Sequence, residues 1–128
     1  PSLIFLHCDE ETIIRVNDTF RDKMHIYQNV AKTRLYAIPE KEMASFILVT
    51  SNDYNYVTLL GEDKEEYHQG DRVRVKEGPF KGAEGHIKRI KKDRKLIVSI
   101  NGVVAVALAY IPPQYLEKID NKIENNQI

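Results

Sequence analysis

The pattern of apolar and polar positions changes near Gly70 in this 128-residue chain. Before that point, short apolar runs alternate with segments of helical period, whereas after it polar and apolar residues alternate singly between glycine-containing turns. The first pattern predicts an α+β domain over residues 1–60, and the second predicts a small all-β barrel over residues 70–119. The acidic stretch 61–69 is interpreted as a linker, and residues 120–128 are interpreted as a frayed tail.

Two helices are predicted in the first part. Asp9 is followed by two glutamates, and carboxylates in a first turn complement the helix dipole, so we expect a helix over residues 10–18. Pro39 and the glutamates after it predict the start of a second helix. The apolar stripe of that second helix is predicted to consist of Met43, Phe46 and Ile47.

Short strands are predicted before, between and after these helices, at Leu3–Leu6, Met24–Gln28 and Tyr56–Leu60. Each of these runs is either continuously apolar or alternates between apolar and polar residues. The polar stretch 29–34 predicts a loop, and the stretch 52–55 predicts the end of the second helix.

The barrel part is predicted to contain up to five short strands, Arg72–Lys76, Ala83–Ile90, Leu96–Ile100, Val103–Ala109 and Tyr115–Ile119. Turns are predicted at Gly78–Gly82 and at Lys91–Lys95. Asn101-Gly102 predicts a two-residue hairpin, and Gly85 predicts a bulge or bend in its strand.

The formal net charge is zero, but the charges are unevenly distributed. Residues 70–95 contain ten Lys and Arg against four Asp and Glu, while residues 1–69 contain seven against twelve. This asymmetry favours a basic surface that faces nucleic acid or an acidic partner. A merely solvated barrel surface is the alternative interpretation.

Residues that could carry catalysis are sparse. The histidines are scattered and Cys8 is the one cysteine, so neither metal-ligand spacing nor a disulfide framework is present. Gly82 is followed by Ala83, which does not fit the Lys-Ser/Thr ending of a phosphate-binding loop. We therefore expect no catalytic residues, no metal and no cofactor. The single cysteine, and the lack of an export leader or a membrane-spanning run, favour the cytoplasm.

One run, Gly70 to Ile87 with the sequence GDRVRVKEGPFKGAEGHI, resembles the KOW motif of NusG-type transcription elongation factors almost position by position. The resemblance covers the Gly-Asp opening, the Gly-Pro-Phe turn and the spacing of the glycines. It implies an SH3-like barrel whose structural motif positions are Gly70, Asp71, Gly78, Pro79, Gly82, Gly85 and Gly102. KOW modules also occur in ribosomal proteins.

Two earlier stretches are similar to the amino-terminal NGN domain of the same factors. Pro1–Leu6 resembles an NGN strand, and Ala37–Met43 resembles the entry of an NGN helix. Because the family's opening strand, helix and strand have no counterpart here, the first part is interpreted as an N-terminally truncated NGN α/β sandwich. The amino-acid sequence of these segments resembles that of specialised bacterial NusG paralogues that antiterminate surface-polysaccharide operons, such as the UpxY group.

The resemblance implies a non-enzymatic transcription elongation or antitermination regulator. Its NGN part would bind RNA polymerase, and its barrel would recruit a second component, either nucleic acid or a ribosomal protein. The candidate contact residues of the barrel are Lys76, Phe80, Lys81, Lys88, Lys91, Lys92, Arg94, Lys95 and Asn101. The alternative is a basic KOW module that binds ribosomal or other structured RNA.

Two further expectations concern apolar residues. Phe80 is either a plug of the barrel core or an exposed docking anchor, and the core role is favoured because small barrels have few large core residues. A strand over Leu3–Leu6 without its family neighbours would expose an apolar edge, which predicts a homodimer or strand exchange.

Overall fold

Two units divide the chain, Pro1–Ala37 and Ile38–Ile128. The structure is a computed structural model and describes residues 3–28, 35–51, 56–109 and 111–119. Three predicted features lie outside the described residues, namely the loop at 29–34, the helix end at 52–55 and the tail at 120–128.

The first unit contains helix α1, Glu10–Thr19, which confirms the predicted helix. Asp9 is its N-cap, and the Asp9 carboxylate accepts a hydrogen bond of 2.8 Å from the backbone N–H of Thr12. Hydrogen bonds from Thr12, first through its side chain and second through its backbone, lower the pKa of Asp9 because they favour the ionised carboxylate. The start of this helix is therefore encoded locally.

The two strands predicted in the first unit are wrong. Residues 3–9 have no regular secondary structure, and Ile4 is 68% exposed. In the second run, one isolated bridge joins Gln28 to Leu35. A strand is stable only as a member of a sheet, and the described part of this unit offers neither run a ladder of partners.

The second unit begins with helix α2, Glu40–Thr50, with Pro39 at its N-cap, close to the predicted start. Its apolar stripe differs from the prediction, because Ile47 is 53% exposed whereas Val49 is fully buried. Phe46 packs against the same core as Val49, as predicted for a core-facing position. The face that meets the sheet is set by the helical positions of Phe46 and Val49, three residues apart.

Six antiparallel strands form one sheet in the order β1-β5-β4-β3-β2-β6. Their bounds are β1 Val57–Gly61, β2 Arg72–Val75, β3 Glu84–Ile90, β4 Asp93–Ile100, β5 Val104–Leu108 and β6 Leu116–Lys118. Each strand predicted from residue 56 onward is present, with shifted ends. Together with the two helices, this architecture is consistent with the SH3-like barrel expected of a KOW module.

The main hydrophobic core lies on one face of this sheet, here called the inner face. Its buried members from the strands and turns are Val73, Val75, Phe80, Ala83, Leu96, Val98, Val106 and Leu108. Val49 of α2 completes this cluster. Phe80 is 8% exposed, which confirms that it is a core plug. Helix α2 and strand β1 thus belong to the same unit as the predicted barrel.

The predicted acidic linker, residues 61–69, lies inside the second unit and covers the other face of the sheet. It contains a 3₁₀ helix, Glu65–His68, whose Tyr67 is buried against Ile97, Ala105 and Ala107. Asp63 is fastened to the β4–β5 turn, where its carboxylate accepts a hydrogen bond of 2.8 Å from the N–H of Gly102. The division of the chain therefore falls after Ala37 and not at this segment.

Two glycines of the motif are required by close approach of neighbouring backbone. An added Cβ at Gly70 would lie 1.8 Å from the carbonyl oxygen of Ile87, and one at Gly85 would lie 2.1 Å from that of Ile97. Such distances are far inside van der Waals contact. The pairing of β2 with β3 passes through Gly85 without a register shift, so the predicted bulge does not form there, and Gly85 makes a tight contact with β4.

The hairpin predicted at Asn101-Gly102 has a longer loop than expected. Ile100 pairs with Val104, so three residues connect β4 to β5. The N–H of Val103 donates to the carbonyl of Ile100 at 2.8 Å, and Gly102 has a φ of +80°, as in the third position of a type II turn.

Candidate nucleic-acid interface

The hairpin of β3 and β4 concentrates positive charge at one end of the sheet. Its register places Lys88 opposite Lys95 and Arg89 opposite Arg94. Like charges directly opposite each other destabilise a sheet. Residues 88–95 are here called the basic hairpin.

The turn of the basic hairpin is also costly for folding. Lys91 and Lys92 have φ angles of +51° and +78°, in the left-handed region that side chains other than those of Gly, Asn and Asp rarely adopt. Since this two-residue turn closes a continuous antiparallel ladder, the strain is imposed by the hairpin itself. The predicted charged turn at 91–95 is therefore shorter, and Asp93, Arg94 and Lys95 belong to β4.

Most of these cations have no carboxylate partner within the part of the chain that the structure describes. Among the described residues, none forms an ion pair with Lys91, Lys92, Arg94 or Lys95. Lys88 faces Glu66 at 3.5 Å on the covered face of the sheet. The basic hairpin can therefore offer several guanidinium and ammonium groups to an anionic ligand.

The arginines of β2 behave in the opposite way. Arg72 and Arg74 both bind the carboxylate of Glu84, at 3.0 and 3.1 Å, and Arg74 also reaches Glu117 at 3.3 Å. The hydrogen bond to Glu84, more than that to Glu117, raises the pKa of Arg74. We call Arg72, Arg74, Glu84 and Glu117 the paired-arginine cluster, which joins β2 to β3 and β6.

The structure separates the sequence-predicted contact residues into two groups at opposite ends of the sheet and one core residue. Lys88, Lys91, Lys92, Arg94 and Lys95 lie on the basic hairpin. Lys76, Lys81 and Asn101 belong to turns at the opposite end of the antiparallel sheet, and Phe80 is in the core. The backbone N–H of Asn101 donates to Glu42 of α2 at 2.9 Å.

Arg89 is missing from the predicted contact residues, although it lies on the basic hairpin opposite Arg94. The signal that could have identified it is its place in the Lys88–Lys95 run, where six of eight residues are Lys or Arg. The sequence alone does not reveal the register of β3 and β4, which puts Arg89 and Arg94 on the same face.

The chemistry available here is electrostatic. Phosphate oxygens accept charge-assisted hydrogen bonds from Arg and Lys, and such contacts are insensitive to base sequence. The basic hairpin has no Phe, Tyr or Trp on which a base could stack. Within the described ranges, no three His, Cys, Asp or Glu side chains are placed to hold a metal ion. No described helix is long and apolar enough to cross a bilayer.

Comparison with known families agrees with this geometry. Residues 69–101 match the KOW motif. This KOW match runs from just before β2 to the end of β4, so it includes the basic hairpin and most of the paired-arginine cluster. The motif associates the chain with RNA binding or with the transcription and translation machinery. Searches of curated proteins and of solved structures found no match.

Proposed function

We propose that this chain is a non-enzymatic factor that binds structured RNA through the phosphate backbone, with the basic hairpin as the contact surface. The observation that carries the proposal is the pairing of Lys88 with Lys95 and of Arg89 with Arg94 across the ladder. These pairs oppose folding. A bound polyanion offsets the repulsion between such like charges, so binding of a polyanion to this surface is favourable.

Recognition of this kind depends on shape and charge. Double-stranded RNA presents ridges of phosphate beside a wide, shallow minor groove, and proteins bind it largely without reading sequence. A narrow two-stranded hairpin with cations on both faces suits such ridges. The absence of stacking aromatics on the basic hairpin supports backbone binding over binding of splayed bases.

The test is the salt dependence of RNA binding, measured by fluorescence anisotropy with a labelled stem-loop at several NaCl concentrations. The slope of log K against log salt is negative. The double variant Arg89→Ala/Lys91→Ala is expected to reduce its magnitude by about 0.7–0.9 for each phosphate that the variant no longer neutralises. The matched control is Lys76→Ala/Lys81→Ala, which removes two cations from the opposite end of the sheet. Equal slopes for the parent and both variants would refute the proposal.

A second candidate function is transcription elongation or antitermination. It is supported by the order of the segments, in which the NGN-like stretches Pro1–Leu6 and Ala37–Met43 precede the KOW motif. In this interpretation the NGN-like stretches bind RNA polymerase, and the KOW barrel recruits a second component. The chain would then act in the bacterial cytoplasm as a specialised NusG-like, UpxY-type regulator.

The polymerase interpretation is tested by retention of purified bacterial core RNA polymerase on the immobilised chain. The exposed apolar run at the start of the first unit is the surface to change, with Ile4→Asp as the variant. His7→Asp is the control, because it introduces the same side chain at an exposed polar position of the same segment. Retention that Ile4→Asp abolishes and His7→Asp preserves supports this function, and no retention by the parent contradicts it.

Self-association through the same run is a proposal of its own. Leu3, Ile4 and Leu6 are exposed, and an apolar run of this kind favours association with a second copy. Light scattering over a range of concentrations is expected to show a dimer that Ile4→Asp dissociates. A strict monomer at high concentration would exclude it.

A further inference from the structure

An open groove of about 640 Å³ lies at the end of the sheet that carries the basic hairpin. Its floor is aliphatic and consists of Val73, Ile87, Leu96, Ile111 and Leu116. These residues belong to the inner core or pack against it, so the groove is the place where that core reaches the surface.

The rim of the groove is basic. Lys92, Arg94 and Lys95 contribute from the basic hairpin, and Lys118 contributes from β6. Asp71 and Asp93 are the acidic members of the lining, and Asp71 lies 3.6 Å from Lys118 with both side chains largely exposed. Such an exposed ion pair contributes little to stability, so the carboxylate of a ligand can easily replace that of Asp71 beside Lys118.

The aliphatic floor and the basic rim of the groove are complementary to two different kinds of ligand group. Ile87, Ile111 and Leu116 are only partly buried, so an apolar group that covers them gains hydrophobic free energy. The cations of the rim require anionic groups beside that apolar group. Phosphate contacts alone would leave the floor uncovered, and the described residues of the lining include no aromatic ring for a nucleobase.

We propose that this groove docks an acidic peptide segment of a partner protein. One bulky apolar side chain of the peptide lies on the aliphatic floor, and flanking carboxylates bind Lys92, Arg94 and Lys118. This site goes beyond the RNA contact proposed for the basic hairpin. Because it uses two cations of the same hairpin, RNA and the acidic peptide compete for them.

The experiment uses the full chain and two fluorescein-labelled synthetic peptides. One has a central Leu-Phe pair flanked by glutamates, and the other has two serines in place of that pair. Anisotropy is expected to show saturable binding of the first peptide and binding at least about tenfold weaker for the second, because the serines cannot cover the floor. Equal binding of the two peptides would overturn the proposal, since it would reduce the interaction to charge alone.

Two variants locate the site. Lys118→Glu reverses an exposed rim charge outside the basic hairpin, and it is expected to weaken the Leu-Phe peptide about fivefold. Lys81→Glu makes the same change at the opposite end of the sheet and is expected to leave binding unchanged. Ile111→Ala removes part of the floor and is expected to weaken the peptide by a similar factor. Parental affinity in both Lys118→Glu and Ile111→Ala would overturn the site.

The RNA proposal and the peptide proposal can be refuted independently of each other. Arg89→Ala/Lys91→Ala removes cations that do not line the groove, so it is expected to weaken RNA without weakening the peptide. Ile111→Ala is expected to weaken the peptide without weakening RNA. If Ile111→Ala instead weakens RNA and neither peptide binds, the groove is a nucleic-acid site and the peptide proposal is wrong.

Discussion

Strand β3 passes through two regions that use the same residue types for opposite purposes. At its start, Glu84 binds Arg72 and Arg74 of β2, and these charges hold strands together. Towards its end, Lys88 and Arg89 face Lys95 and Arg94 of β4, and these charges repel. The comparison teaches that the fold, and not the residue type, decides whether a cation in this sheet meets a carboxylate, as Arg74 does, or another cation, as Arg94 does.

The largest expected effect comes from disturbing the start of β3. Gly85→Ala is expected to lower the free energy of unfolding by about 3 kcal/mol, because its Cβ would lie 2.1 Å from the carbonyl oxygen of Ile97. Gly82→Ala is the control, since nothing lies within 4 Å of its added Cβ and only its φ of +99° opposes the change. Urea unfolding measures both, and an equal loss in the two variants would contradict the role given to close packing.

Breaking the paired-arginine cluster is expected to cost about 2 kcal/mol in the variant Glu84→Gln. The Glu84 side chain is 15% exposed and accepts bonds from two arginines, so Glu84→Gln removes the negative charge that Arg72 and Arg74 share. Glu117→Gln removes a single, more exposed contact and is expected to cost below about 0.5 kcal/mol. If unfolding in urea gives the two variants equal stability, the cluster does not hold the strands as described.

Relieving the turn of the basic hairpin is expected to have the opposite sign. Lys92→Gly should stabilise the fold by about 0.5–1 kcal/mol, because glycine accepts a φ of +78° without steric cost. The same variant should lower the salt slope of RNA binding by about 0.7–0.9 if Lys92 contacts a phosphate.

Lys81→Gly provides the comparison for that variant. Lys81 is also an exposed turn lysine, but it is not among the residues with positive φ. Its replacement is expected to destabilise slightly, because glycine gains entropy in the unfolded chain. Thermal unfolding of the two variants should therefore shift in opposite directions, and a lower midpoint for Lys92→Gly would exclude strain at this turn.

The smallest effect concerns a charge outside both regions, at the N-cap of α1. The pKa of Asp9 is lowered from 3.8 in the folded chain, so its stabilising contribution is present above that value and is lost as pH falls through the folded pKa. Amide chemical shifts of α1 should therefore change at acidic pH. In Asp9→Asn this transition should disappear while the helix remains, and a transition that persists would assign it to another group.

Much of the second unit could be predicted because its signals are local. The Gly-Pro-Phe turn, the alternation from Arg72 onward and the acidic start of α2 all depend on a few neighbouring residues. Phe80 was also predictable as a core residue, since a small barrel has few alternatives. The same local logic failed at Leu3–Leu6, where the described residues of the first unit offer the apolar run no ladder to join.

The candidate site was predictable in composition and not in arrangement. The excess of Lys and Arg over residues 70–95 is visible in the sequence, and it includes every cation of both regions. Only the register distinguishes Arg74, which is bound by two glutamates, from Arg94, which lies opposite Arg89. The groove could not be predicted, because Val73, Leu96 and Ile111 meet there from separate parts of the chain.

By itself, the sequence determined where the turns, most strands and both helices lie, because caps, glycines and residue alternation act over a few positions. The tertiary structure alone decided which charges are neutralised and which face of the sheet Tyr67 covers. Arg74 and Glu117, for example, are 43 residues apart and meet only after β6 has paired with β2. Contacts of that range depend on the whole fold, since no local pattern records which side chains will face each other.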